Sequence, residues 1–134
     1  MFSKKKPVAR VTIDQFSSLI SGNLTVAGDV TFEDGLKVSG EVRGNVRHKP
    51  GSHSLLALSV EGRIEGNVSS HDALIDGTII GDLTVEHLLE LHSNARVQGN
   101  IRYRQLSMEN GAEKTGVMIC GHGSRSQSAV DEFA

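Results

Sequence analysis

Five histidines, His48, His53, His71, His87 and His92, are the residues of this chain best suited to proton transfer or metal ligation. None stands at the short spacing from another histidine, a cysteine or an acid that a zinc site normally shows, so they read as surface histidines. Cys120 is the only cysteine, which excludes an intrachain disulfide; its apolar surroundings suit packing better than nucleophilic work. Glu33 and Asp34 form a carboxylate pair just before Gly35, where a solvated turn is expected. The glycines spaced four apart lie within alternating segments rather than between a strand and a helix, so no phosphate-binding loop is present. No catalytic, cofactor-binding or metal-ligating residue is expected.

The chemistry-capable residues are few because the chain is dominated by a repeat. One phrase runs Val38-Ser39-Gly40-Glu41-Val42-Arg43-Gly44-Asn45-Val46. It returns as Val60-Glu61-Gly62-Arg63-Ile64-Glu65-Gly66-Asn67-Val68 and again as Ile75-Asp76-Gly77-Thr78-Ile79-Ile80-Gly81-Asp82-Leu83. A worn copy covers Ala95 to Ile101 and an early one Leu24 to Val30. The second glycine of each copy is Gly28, Gly44, Gly66, Gly81 or Gly99, and the widest interval contains Lys49-Pro50-Gly51-Ser52, a loop insertion. A fixed period of this length signals a stacked architecture.

Within each copy the alternation has the period of a strand with one buried side. Val60, Gly62, Ile64, Gly66 and Val68 would share the inner face, and Glu61, Arg63, Glu65 and Asn67 the outer. Glycine suits a corner where the coil turns back over itself, and the Asn or Asp that follows can bond its own backbone. Stacking then predicts an apolar column of Val42, Ile64, Ile79 and Val97, with Glu41 beside Arg63 and Arg43 beside Glu65 outside. The predicted fold is all-β, a right-handed parallel β-helix (a solenoid) of about six coils over residues 17–116, between a basic flexible tail at 1–16 and a C-terminal tail at 117–134. An antiparallel sandwich explains the alternation but not the recurring phrase. A left-handed hexapeptide helix needs a six-residue beat that is absent.

The chain has 134 residues, with 14 Lys and Arg against 16 Asp and Glu. Lys4, Lys5, Lys6 and Arg10 fall in the first ten residues with no acid among them, so the remainder is acidic and a poor match for nucleic acid. The basic end follows Met1 and Phe2, a pattern suited to an anionic membrane surface. No apolar run is long enough to span a bilayer, and no apolar stretch of a secretory signal follows the lysines; a cytoplasmic location at the inner face of the membrane is expected.

The repeated phrase, Leu88-Leu89-Glu90-Leu91 before the worn copy, Gly99-Asn100-Ile101-Arg102-Tyr103, and the opening Met1-Phe2-Ser3-Lys4-Lys5-Lys6 together resemble the bactofilins, over about residues 1–112. The resemblance implies a cytoskeletal scaffold that polymerises without nucleotide, with itself, the membrane and a recruited protein as partners. Such relatives often carry an aromatic between two glycines placed as Gly111 and Gly116 are; here Lys114 stands there. A shorter likeness, Gly116 to Phe133 with Gly121-His122-Gly123-Ser124-Arg125 at its centre, resembles the first strand and helix start of a sirohydrochlorin-type chelatase and would map an active-site histidine onto His122. Only nine residues follow Arg125, and no chelatase activity is expected.

A solenoid without capping helices leaves its first and last coils open. Leu19 and Leu24 at one end, and Leu106, Met108 and Lys114 at the other, are therefore the expected joint between subunits. The competing function, a β-helical carbohydrate-binding module or enzyme, needs aromatic platforms or a carboxylate cluster on one face. With Tyr103 the single tyrosine and no tryptophan, the sequence offers little toward either.

Overall fold

A computed structural model describes residues 17–121. Met1, Phe2, Lys4, Lys5, Lys6 and His122 lie outside the described residues. Every regular element among those described is a short β-strand, and three strands make one coil. The first coil holds β1 (Ser18–Ile20), β2 (Thr25–Ala27) and β3 (Val30–Phe32), and the second β4 (Gly35–Val38), β5 (Glu41–Arg43) and β6 (Val46–His48). The third holds β7 (Leu55–Leu58), β8 (Arg63–Glu65) and β9 (Val68–Ser70), and the fourth β10 (Asp72–Ile75), β11 (Thr78–Ile80) and β12 (Leu83–Val85). The fifth holds β13 (Leu88–Leu91), β14 (Arg96–Gln98) and β15 (Ile101–Tyr103), and the sixth β16 (Gln105–Met108), β17 (Glu113–Lys114) and β18 (Met118–Cys120).

Like strands stack in parallel into three six-stranded sheets, β1-β4-β7-β10-β13-β16, β2-β5-β8-β11-β14-β17 and β3-β6-β9-β12-β15-β18. The expected β-helix of six coils is therefore observed. Met118–Cys120, in the segment assigned above to the C-terminal tail, pair with Ile101–Tyr103 and continue the third sheet.

The core is the set of inward columns. Val42, Ile64, Ile79 and Val97 stand in register, as the repeat predicts, and all four are buried. A second column runs Leu36, Leu56, Ala73, Leu89 and a third Val46, Val68, Leu83, Ile101, again buried throughout. Branched aliphatic side chains suit these positions because each fills the gap between like residues about 4.8 Å above and below.

Two details of the repeat come out differently. Val38 pairs with Leu58, not with Val60, and Val42 with Ile64. Val60 and Glu61 are thus an extra turn at the corner, and Val60 is 57% exposed rather than inward. The strict alternation from Val60 to Val68 is interrupted because a three-residue strand must bend at each corner. The second correction concerns the Asn and Asp after each corner glycine. They do not bond their own backbone but reach the next coil. Asp29 Oδ1 accepts the Asn45 N–H at 2.9 Å, Asn45 Oδ1 that of Asn67 at 2.9 Å, Asn67 Oδ1 that of Asp82 at 3.0 Å and Asp82 Oδ1 that of Asn100 at 2.9 Å. The corner N–H groups cannot join a sheet ladder, so this line of side chains satisfies donors that would otherwise go unpaired.

Candidate functional site

The features able to do work are the two ends of the stack and one lateral corner. At the ends, β1, β2 and β3 form one set of sheet edges and β16, β17 and β18 the other, each offering unpaired backbone groups. The exposed large hydrophobics among the described residues are Leu19, Leu24, Val60, Leu106, Met108, Val117 and Ile119. All except Val60 belong to the first or last coil, so apolar exposure concentrates where the stack is open.

Register decides which of them face the open end. Leu106 continues the column through Leu89, and Met108 the column through Leu91; they are 36% and 44% exposed because among the described residues no further coil covers them. Leu24 precedes β2 at the place Gly40 takes in the next coil, where Gly40 leaves no room above the Leu24 carbonyl. Leu19 aligns with Lys37 and so belongs to an outward row on the flank, although it sits in the terminal coil.

The last coil also breaks the pattern twice. Lys114 pairs with Val97 and so ends the Val42–Ile64–Ile79–Val97 column with a charge, its Nζ donating to the Gly116 carbonyl at 3.2 Å. Val117 donates its N–H to Asn100 Oδ1 at 3.0 Å but has no side-chain acceptor to extend the line. Both the apolar column and the polar line therefore stop here.

On the outer face of the second sheet, Glu41 does pair with Arg63 and Arg43 with Glu65 in register. The shortest ion pairs nevertheless run along a strand: Arg43 Nε to Glu41 Oε2 at 3.0 Å and Arg63 Nε to Glu65 Oε2 at 2.8 Å. The hydrogen bond from Arg63, with the charges of Arg63 and Arg43 behind it, holds the Glu65 carboxyl below its usual range. The hydrogen bond and charge of Glu41, with Glu65 adding, raise Arg43. A carboxyl lowered in the fold favours the folded state above its unfolded pKa, a contribution lost as pH falls through the folded value.

The histidines depart most from expectation. His48 is not at the surface: it is 7% exposed, and neither ring nitrogen makes a hydrogen bond, although Glu86 Oε2 lies 3.2 Å from Nε2 in a poor direction. The rings of His53, His71 and His87 lie in a row with centroids 4.8 and 5.2 Å apart, His53 tilted against His71 and His71 stacked on His87. His87 Nδ1 lies 2.9 Å from Asp72 Oδ1, and His71 Nδ1 lies 3.6 Å from Glu86 Oε1. His92 stands apart with Glu90 and Glu109 at 3.3 and 3.7 Å. The cause is the coil: residues separated by one full turn are neighbours in space, so a spacing of one coil length was the signal to read. Glu33 remains in an exposed bend, 3.5 Å from Lys49. Cys120 is exposed at the edge of the third sheet.

Comparison with known proteins agrees with this architecture. The family model described as bactofilin, polymer-forming cytoskeletal, matches residues 18–118. Bactofilin BacO of Myxococcus xanthus is 23% identical over 116 residues, covering 85% of this chain and 87% of its own length. Bactofilin BacP of the same organism is 23% identical over 121 residues, 90% of this chain but 48% of its own, so this chain spans about half of that relative. No solved structure matches. The chelatase likeness of residues 116–133 finds no support among these matches. A stack of short coils, open at both ends and matched by that model across nearly all its described length, belongs to the bactofilin family of polymer-forming cytoskeletal proteins.

Proposed function

We propose that this protein is a scaffold subunit that polymerises end to end without nucleotide, is held at the cytoplasmic face of an anionic membrane, and offers its flank to a recruited protein concerned with cell shape or the cell wall. The observation that carries the polymer reading is that, among the described residues, the exposed large hydrophobics, Val60 apart, are confined to the two open coils. Covering Leu106 and Met108 with another subunit contributes roughly 1.5–3 kcal/mol for each side chain fully buried. Backbone groups on the sheet edges align the joint, and association driven by burial needs no hydrolysis. Lys114, at the end of an apolar column, opposes the same contact.

Purified protein in nucleotide-free buffer is expected to show filaments or sheets by negative-stain microscopy. Met108→Arg should give a folded, short species by size-exclusion chromatography with light scattering, and Lys114→Phe longer or more stable filaments. Long polymers persisting in Met108→Arg would remove the C-terminal coil from the joint, and a clean monomer of the unmodified protein would sink the polymer reading.

The membrane reading rests on Met1, Phe2, Lys4, Lys5 and Lys6. Each lysine close to anionic lipid adds about 1 kcal/mol, and a filament multiplies weak single tails by avidity. Deleting residues 1–6 should release filaments from anionic liposomes in cosedimentation without changing their form, and added salt should weaken binding of the full chain. Sedimentation unchanged by the deletion would rule this segment out as the anchor.

A further inference from the structure

The corner between the third sheet and the first gathers an unusual set of donors. His71, Asp72 and His87 each offer a ligand atom, and these atoms all lie within 4.8 Å of one another. The tilted ring of His53 lies beside His71. Glu86 places one carboxylate oxygen near His71 and the other near the buried His48, whose ring nitrogens lack hydrogen-bond partners. Two imidazoles and a carboxylate thus converge, with a second carboxylate and a buried imidazole that makes no hydrogen bond just behind.

The backbone beneath them is fixed. Ser54 and Ser70 are fully buried under the corner. Ser54 Oγ accepts the His71 N–H at 3.1 Å and Ser70 Oγ donates to the Asp72 carbonyl at 2.7 Å. Asp72 Oδ1 accepts the Leu88 N–H at 2.9 Å, which orients the carboxylate as outer partners orient metal ligands. The histidine side chains are the adjustable part: His71 and His87 are 24% and 45% exposed. A tetrahedral ion with bonds of about 2.0–2.2 Å needs donors about 3.3–3.5 Å apart. Asp72 Oδ1 and His87 Nδ1 stand at 2.9 Å, a hydrogen-bond distance somewhat shorter than that, and the ligand atoms all lie within 4.8 Å, so small rotations of the partly exposed rings open the first pair and draw in the rest.

We propose that the His71–Asp72–His87 corner binds a first-row divalent transition-metal ion of the zinc or copper class. Imidazole nitrogen with a single carboxylate selects such ions over magnesium and calcium, which prefer all-oxygen shells. The ion replaces the Asp72–His87 hydrogen bond, and Glu86 stands near the remaining coordination position. The corner spans the third to fifth coils, away from both ends, so a filament joined through its ends leaves the site open on its flank. This inference is independent of the polymer reading.

The test uses the full chain stripped with chelator and titrated with Zn²⁺ by calorimetry, with Mg²⁺ as the comparison ion. Saturable binding of one Zn²⁺ per chain, with no Mg²⁺ binding, is expected. His87→Ala and His71→Ala should each weaken it by at least about tenfold, the smallest loss associated even with outer partners of a metal site. His92→Ala should change nothing, and neither should Cys120→Ser with His122→Ala. Electron paramagnetic resonance of the Cu²⁺ form should show coupling to two imidazole nitrogens, reduced to one in His87→Ala; this readout does not depend on stability. Failure to bind Zn²⁺, binding undiminished in both His71 and His87 variants, or loss only in the Cys120/His122 variant would each overturn the assignment.

Discussion

Ile64→Lys is expected to abolish the folded solenoid, while Arg63→Ala, one residue away, leaves it standing. Ile64 is fully buried between Val42 and Ile79, so its replacement sets an ammonium inside the apolar column, where no acid is buried among the described residues. An uncompensated buried charge costs about 3–5 kcal/mol, and the lost burial of isoleucine adds roughly 1.5–3 kcal/mol. Together, at about 4.5–8 kcal/mol, these reach the lower half of an ordinary domain's stability of about 5–15 kcal/mol. The position makes it worse. In a linear stack each coil is stabilised by its two neighbours, so a failed third coil separates the first two from the last three. Arg63 points outward and gives up only an exposed ion pair with Glu65. Far-UV circular dichroism and thermal unfolding distinguish the two; equal damage from both would mean that inner and outer faces are wrongly assigned.

That contrast was legible in the sequence because it rests on period alone. The recurring glycine phrase carries the coil length, the alternation carries the buried face, and together they placed Val42, Ile64, Ile79 and Val97 in one column. What period could not carry is anything that depends on where corners fall. Val60 looked inward because the alternation was extended through a corner that bends the chain. The Asn and Asp residues looked local because their short side chains usually bond nearby backbone, whereas here they accept the next coil's N–H at 2.9 Å. The histidine corner was hidden for a related reason. His71 and His87 are adjacent in the stack, with the His87 N–H bonded to the His71 carbonyl at 2.8 Å, yet they stand a full coil apart in the chain. Ligand spacings learned from helices and tight loops do not find such a set; counting in coil lengths does. The ends were readable as open, but not which residue faced which way: Leu19 lies in a terminal coil and still turns to the flank beside Lys37.

The second large effect is expected at the glycine line. Gly44, Gly66, Gly81 and Gly99 stack so closely that a Cβ on any one would meet the carbonyl oxygen of the glycine in the preceding coil well inside the 3.0 Å that real Cβ atoms respect. Gly28 begins the line, has nothing beneath it within 4 Å, and shares the unusual backbone, with φ of 129° against 148° at Gly81. The pair therefore separates two costs. Gly28→Ala carries only the conformational penalty of holding a side chain in a glycine region, about 1–3 kcal/mol. Gly81→Ala carries that penalty and also forces its methyl group against the Gly66 carbonyl. Relief requires the third and fourth coils to part at this corner, which stretches the bond from the Asp82 N–H to Asn67 Oδ1, now 3.0 Å, and opens packing between Ile64 and Ile79. Overpacking of this kind adds about 1–3 kcal/mol more. Gly81→Ala should therefore melt roughly 10 °C or more below the unmodified protein, and Gly28→Ala by clearly less, when both are compared in a short-polymer background such as Met108→Arg. Equal melting temperatures for the two variants would show that the glycines are required for backbone conformation alone, and that the coils at this corner can separate without cost.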